Sequence, residues 1–302
     1  MSNKNKVLIT GASGLLGSQL AQTFKDKKYE VLAVFNQKPE LMTSGMEIVK
    51  CDISNRDEVM SLKNKVKTSA LIIHCAAITN VDLCEKDKNL CSSVNIEGTK
   101  NICELANKTK SKLVYISTSS VFDGKSGNYK ETEKPNPVNY YNFSKVEGEK
   151  AVLKYERGIA VRMIHLGLHL TSRKPASFFE WLVDSFKNNR DINLFNDVRI
   201  NPLSVSTIAR LIFKIPEVMN GGLLHLGSRD VVSKADIGRE VMKFFPKYSG
   251  KVNFISMDDN KQKLTSRPKE MWLNVDKALS LGFDLPKALP DLNKYLNGKK
   301  LL

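Results

Sequence analysis

Short apolar runs alternate with amphipathic stretches through the first half of the chain. Lys6–Thr10, Glu30–Phe35, Glu47–Cys51, Ala70–Cys75 and Lys112–Ser117 have the length and apolar content of strands. Between them, Leu15 to about Lys27, Asn55–Lys65 and about Lys88–Asn107 carry apolar residues at helical spacing. Apolar strands separated by helices predict a parallel sheet covered on both faces. Right-handed crossovers wind such a sheet outward in both directions and leave a ligand crevice at the carboxyl ends of its strands.

The texture changes twice farther along. Asp123–Asn139 is rich in Gly, Pro, Asn and Lys, which predicts a loop leading into a helix that begins near Tyr140. A sixth strand is expected at Ile159–Leu166. From about Leu168, shorter helices (near Pro175–Lys187, Val205–Ile215 and Lys234–Phe244) mix with short strands (Gly222–Leu226 and Val252–Ser256). No internal repeat or low-complexity linker interrupts the 302 residues.

Composition narrows the class. An apolar fraction of 41% and a charged fraction of 26% are ordinary for a soluble globular protein. No apolar run approaches the ~20 residues of a membrane span, and the run ending at Gly11 is too short for a signal-peptide core. Cys51, Cys75, Cys84, Cys91 and Cys103 are odd in number and form no C-x-x-C pair, which predicts reduced thiols and a cytoplasmic location. His165 and His169 lie in an extended segment where i,i+4 is not a shared face, so no metal site is expected. The net charge of +15 comes from scattered lysines without a dense arginine block. It predicts a solvated surface and some attraction for a polyanionic small substrate, with no nucleic-acid partner.

The candidate chemistry starts at Thr10-Gly11-Ala12-Ser13-Gly14-Leu15-Leu16-Gly17, between the first strand and the first helix. Glycines at this spacing permit a tight turn, let backbone N–H groups approach a pyrophosphate and aim a helix N-terminus at its charge. Gly11, Ser13, Gly14, Leu15, Leu16 and Gly17 are therefore expected cofactor contacts. With that loop, the fold expected is an α/β Rossmann-type doubly wound parallel sheet with a smaller C-terminal α/β substrate-binding lobe. Residues 1–167 would form the NAD(P)-binding domain. Residues 168–302 would form the lobe, with some segments returning to the main sheet.

The second strand ends in Phe35-Asn36-Gln37-Lys38, where NAD sites usually carry a carboxylate for the ribose hydroxyls. Nothing there repels a 2′-phosphate, so NADP(H) is favoured over NAD(H), with Asn36 and Lys38 as contacts; Lys38 also reads as a solvated loop residue. Asp52, followed by Ile53, is placed either to accept from an adenine amino group or to cap the helix ahead of Asn55. The small residues of Cys75-Ala76-Ala77 let the fourth strand pass close beneath a cofactor. Asn95 is a further candidate contact or a buried polar anchor between helix and sheet.

Tyr141 and Lys145 stand four residues apart on one helix face. A free tyrosine has a pKa of about 10; a neighbouring ammonium and an oxidised nicotinamide would lower it toward useful acid–base range. Lys145 can also hydrogen-bond the nicotinamide ribose. Tyr140 has no lysine four residues on. A hydroxyl at the end of the fifth strand, within Ser117-Thr118-Ser119-Ser120, can orient a substrate oxygen toward Tyr141.

Taken in order, these motifs resemble the extended branch of the short-chain dehydrogenase/reductase family. Within it they are similar to dTDP-4-dehydrorhamnose reductases and the related regulatory β subunit of methionine adenosyltransferase. The likeness rests on Gly11–Gly17, Ala76-Ala77-Ile78-Thr79-Asn80-Val81-Asp82, Ser117-Thr118, Val121-Phe122-Asp123-Gly124 and Tyr141 with Lys145. Weaker echoes are Gly222-Leu223-Leu224-His225-Leu226 and Ser266-Arg267-Pro268. It implies Thr118 as the catalytic hydroxyl, Tyr141 as acid and Lys145 as its partner. Ser119-Ser120 replaces the Asp-Tyr usual in the reductases and lacks the acid of the dehydratases. Leu166-Gly167-Leu168-His169 replaces an aromatic-Gly turn. Arg199 is read either as a diphosphate contact or as a surface salt bridge.

The resemblance implies an NADPH-preferring reductase of a nucleoside-diphosphate 4-keto-6-deoxy sugar, compatible with a homodimer. The alternatives are a non-catalytic NADP-binding regulatory subunit and a sugar-nucleotide epimerase.

Overall fold

The computed structural model describes residues 6–37, 45–66, 70–170, 177–259 and 265–299. β1 (Lys6–Thr10) turns at Gly11 into α1 (Leu15–Asp26), followed by β2 (Glu30–Phe35) and β3 (Glu47–Lys50). The helix expected over Asn55–Lys65 is divided at Leu62 into α2 (Arg56–Ser61) and α3 (Lys63–Val66). Asn55 caps α2 by accepting from Asp57 and Glu58 N–H groups. β4 (Leu71–His74), α4 (Val81–Lys86) and α5 (Lys88–Ser92) come next; a π-helical turn at Ser93–Glu97 then joins α5 to α6 (Gly98–Lys108). After β5 (Lys112–Ile116), a 3₁₀ turn at Ser119–Val121 opens the long loop to α7 (Tyr140–Leu153).

β6 (Gly158–Met163) is shorter than expected. At Ile164 the chain leaves the main sheet, and β7 (His165–Leu166) pairs elsewhere. Then come α8 (Phe178–Lys187), β8 (Ile192–Phe195), β9 (Arg199–Ile200), β10 (Leu203–Ser204) and α9 (Val205–Val218). β11 (Gly222–Leu226), β12 (Val232–Ser233), α10 (Lys234–Met242), β13 (Val252–Ile255), α11 (Asp276–Ser280) and α12 (Ala288–Asn297) complete the described elements.

The main sheet has seven parallel strands in the order β11-β6-β5-β4-β1-β2-β3. Strand order reverses between β1 and β4, which opens a crevice at their carboxyl ends. Alternate residues feed opposite faces. Val7, Ile9, Val31 and Ala33 pack with Leu20 and Phe24 of α1 and Ile208 and Ile212 of α9. Leu8, Leu32, Ile72 and Leu113 pack with Ile102 and Leu105 of α6. Each such fully buried aliphatic side chain is worth roughly 1.5–3 kcal/mol, so register errors in this sheet are heavily penalised.

A second core gathers Phe179, Leu182 and Phe186 of α8, Leu194 of β8, Ile237 of α10 and Leu292 of α12. Its strands form three two-stranded pairs: β10 with β7, β12 with β9, and β13 with β8. β11, although late in the chain, returns to the main sheet beside β6. No helix among the described residues is long and apolar enough to cross a membrane.

Candidate functional site

The turn after β1 is shaped by what it must avoid. Gly11 has φ +65°, and a Cβ there would lie 2.7 Å from Ala76 N and 2.8 Å from Ala76 Cα. The loop thus rests directly on the end of β4, where Cys75, Ala76 and Ala77 are only partly buried. A Cβ on Gly17 would collide with the Gly11 carbonyl. The Gly14 N–H donates to Gly11 O at 2.8 Å and closes the turn. α1 begins with no side-chain cap and no acidic residue in its first turn. Ser13, Leu15 and Leu16 thus border uncapped, positively polarised N–H groups, the donor set a diphosphate requires. These features fit a dinucleotide. His169, which sequence reasoning set aside with the metal question, lies over this loop with its Nε2 2.8 Å from Ser13 O. Among the described residues no group of three or more His, Cys, Asp or Glu side chains could hold a metal ion.

The other cofactor candidates divide. Asn36 is exposed just beyond β2, and Lys38 lies outside the described residues. Asp52 Oδ1 accepts from Ser54 N (2.9 Å) and Ser54 Oγ (2.7 Å), while Asn55 serves as the helix cap. Ile53 is buried beside α6; a Cβ on Gly98 would lie 2.9 Å from Ile53 Cδ1.

Asn95 sits in the π-helical turn and acts as a cross-link. Its Oδ1 accepts from Ile78 N at 2.8 Å, and its Nδ2 donates to Ile78 O at 3.0 Å and Ser144 Oγ at 2.9 Å. Ser144 Oγ donates in turn to Tyr141 O at 2.7 Å. A second chain reaches the same turn from β1. Ala76 N donates to Thr10 Oγ1 (3.3 Å), which lies 2.6 Å from His74 Nδ1. His74 Nε2 is 3.0 Å from Thr99 Oγ1, whose proton goes to Asn95 O at 2.7 Å. Thr99 can therefore only accept from His74, which fixes a neutral imidazole protonated at Nε2. Burial, and then the charge of Lys145, hold its pKa down at about 3. Neither His74 nor Thr99 carries a sequence pattern that announces this link between the glycine loop and the helix of Tyr141.

Asn139 caps α7 by accepting from Asn142 N at 2.9 Å, and its Nδ2 donates to Ser266 O at 2.9 Å. This fixes the entry of the helix that carries Tyr141 and Lys145. Tyr140 turns away: its hydroxyl lies 2.6 Å from Ser92 Oγ and its N–H donates to Glu85 Oε2. Burial, followed by the nearby Cys84 and Cys91 thiols, raises the Tyr141 pKa above its ordinary value. Lys145 is buried; its Nζ donates to Ile116 O at 2.7 Å and lies 4.1 Å from the Tyr115 ring centroid. Burial pushes its pKa down to about 8, against an opposing pull from Glu149. The expected depression of the tyrosine by its lysine is therefore not found here, and burial raises the phenol instead.

Of the hydroxyls after β5, Ser117 points inward and donates to Glu149 Oε1. Glu149 also takes Arg162 Nε at 2.9 Å and Nη2 at 2.7 Å in a fully buried ion pair. Thr118 is only partly buried and accepts from Ser120 N at 3.1 Å, opening the 3₁₀ turn. With Lys145 bound to Ile116 O, the strand end bearing Thr118 and the helix bearing Tyr141 are tied together at one edge of the crevice. Arg199 is exposed and 3.8 Å from Glu270, the surface-pair alternative of its two readings.

A family model described as RmlD substrate binding domain matches residues 5–300. dTDP-4-dehydrorhamnose reductase of Aggregatibacter actinomycetemcomitans is 32% identical over 240 residues, covering 76% of this chain and 76% of that protein. Methionine adenosyltransferase 2 subunit beta of Xenopus laevis is 28% identical over 294 residues, covering 92% of this chain and 82% of that protein. A solved dTDP-4-dehydrorhamnose reductase from Bacillus anthracis str. Ames, in complex with NADP, matches with a TM-score of 0.84 at 26% identity, covering 98% of this chain and 100% of that one.

Proposed function

Since this chain belongs to the RmlD substrate binding domain family, of the extended short-chain dehydrogenase/reductase type, we propose that it reduces the keto group of a nucleoside-diphosphate 4-keto-6-deoxy sugar with NADPH. The observation that carries the reading is the joining of three supports at one crevice edge: an uncapped glycine-loop helix, Thr118 at the end of β5, and Tyr141 with Lys145 on α7. The cofactor, when bound, supplies the hydride to the keto carbon. Tyr141 gives its phenolic proton to the carbonyl oxygen, so that ketone, hydride and proton become the alcohol. Its raised pKa keeps the phenol protonated near neutrality, the form a general acid needs. Thr118 orients the substrate oxygen. Lys145, cationic below about 8 and anchored on Ile116 O, offers its remaining N–H groups toward the ribose and the phenol.

The absence of a carboxylate at Asn36-Gln37 supports the NADPH preference. The NADP complex of the Bacillus anthracis relative supports it as well. The near full-length match to the Xenopus laevis subunit favours one second reading, a cofactor-binding subunit of another enzyme. A panel of nucleoside-diphosphate keto sugars, followed by loss of NADPH or NADH absorbance, separates the two. The reductase reading predicts turnover with at least one keto sugar and faster oxidation of NADPH. No oxidation across the panel, with tight NADPH binding intact, overturns it.

A further inference from the structure

The glycine loop meets the lobe through two of its residues. His169 reaches it from the segment that follows β7, with its Nε2 2.8 Å from Ser13 O. A carbonyl oxygen only accepts, so this ring nitrogen carries the proton. Leu15, two residues on, packs against the second core, whereas its neighbour Leu16 belongs to a core of the main sheet. The Ser13–Gly14 peptide unit is held at both ends. Its carbonyl accepts from His169, and its N–H donates to Gly11 O at 2.8 Å. Such a peptide plane cannot rotate without breaking both hydrogen bonds. It stands directly before the uncapped N–H groups of α1, the donors that a diphosphate meets.

The lobe fixes the imidazole in turn. The His169 N–H donates to Glu180 Oε1 at 3.2 Å, and Glu180 Oε2 accepts from Ser177 N at 3.1 Å in the capping box that starts α8. The Leu168 N–H donates to Tyr295 Oη at 2.8 Å, and Tyr295 of α12 is buried in the second core. Two lobe helices therefore set the backbone at Leu168 and His169, and the imidazole carries that position to the loop. A loop held in one conformation beforehand spares its ligand the cost of ordering it. The link acts in both directions, because two coupled sites change each other's binding free energy equally.

We propose that His169 is a positioning residue for the dinucleotide, a lock supplied by the lobe that holds the Ser13–Gly14 peptide in its diphosphate-binding conformation. It rests on the dinucleotide binding common to the reductase and subunit readings, not on turnover. The test titrates NADPH, NADH and ADP-ribose by calorimetry into wild-type protein, His169→Leu, His169→Gln and Tyr295→Phe, with denaturant midpoints to certify each fold. ADP-ribose carries the diphosphate without the nicotinamide. Glutamine places an amide N–H about as far from the backbone as the imidazole Nε2. His169→Leu is expected to weaken all three ligands alike by about fivefold or more, and His169→Gln to stay within about twofold of wild type. Tyr295→Phe, which removes only the hydroxyl on Leu168 N, is expected to weaken the same ligands by about twofold to threefold. Wild-type affinity in His169→Leu overturns the proposal, as does a glutamine variant as weak as the leucine one, or a loss that spares ADP-ribose. Wild-type affinity in Tyr295→Phe overturns the lobe as the source of the lock. A wild type that binds none of the three overturns it together with both readings, whereas His169-dependent binding without keto-sugar turnover rejects the reductase reading alone.

Discussion

Two lysines are pushed to about the same pKa, near 8, and they are built in opposite ways. Lys145, in the sheet wall, donates to Ile116 O, faces the Tyr115 ring and feels Glu149. Lys234, at the start of α10, has two phenyl rings over its Nζ. Burial is the largest cause of both shifts, so the shift does not separate structure from function. Partnership does. A buried cation held by a carbonyl is fixed in place, whereas Lys234 has ring faces and, among the described residues, no hydrogen-bond acceptor. The surrounding architecture follows the same division. The sheet wall stands on seven parallel strands and two packed faces, whereas the lobe wall uses strand pairs as short as two residues.

The largest expected effect breaks the sheet wall itself. Gly11→Val places a side chain at φ +65° against Ala76, so NADPH binding should be lost while the lobe core is untouched. Titration by nucleotide fluorescence, with circular dichroism confirming a folded chain, checks this; wild-type affinity would mean that the loop does not cradle the dinucleotide. Next in size, Lys145→Met should lower kcat by about 10²-fold or more, whereas Lys234→Met should leave kcat near wild type. Steady-state kinetics on the two variants side by side sharpen the contrast, and equal losses of kcat would erase it.

The smallest effect is on stability against pH. His74 and His225 are held at about 3 by burial, against about 6.5 when unfolded. Between those values the unfolded chain binds more protons, so stability should fall as pH drops below about 6.5. The two lysines give the opposite limb. From about 8 to 10.5 the unfolded chain again binds more protons, so stability should rise with pH across that window. Denaturant midpoints across pH read both slopes, and a flat acid limb would mean the imidazoles are charged in the fold.

Much of the sheet wall was legible in the sequence because its chemistry is local. Three glycines at fixed spacing carry a turn and a helix start, and Tyr141 with Lys145 carry a shared helix face. Apolar runs such as Val7–Ile9 mark strands whatever they pair with. The lobe was less legible. Two residues, as in Arg199–Ile200 or Leu203–Ser204, cannot display a period. The split of the long expected helix by the turn at Ser93–Glu97 follows a tertiary link, Asn95 to Ile78 and Ser144, rather than any helix-breaking residue. His74, the Glu149–Arg162 pair and Lys234 depend on partners from 13 to 64 positions away, which spacing does not report.

The central claim, that the Tyr141 phenol protonates a carbonyl at this crevice, is tested most directly by Tyr141→Phe in single-turnover reduction of a keto-sugar nucleotide. The predicted result is a fall in the rate of NADPH oxidation by roughly 10²–10⁴-fold, with NADPH and nucleotide-sugar affinities unchanged. A variant that oxidises NADPH at the wild-type rate would contradict the account.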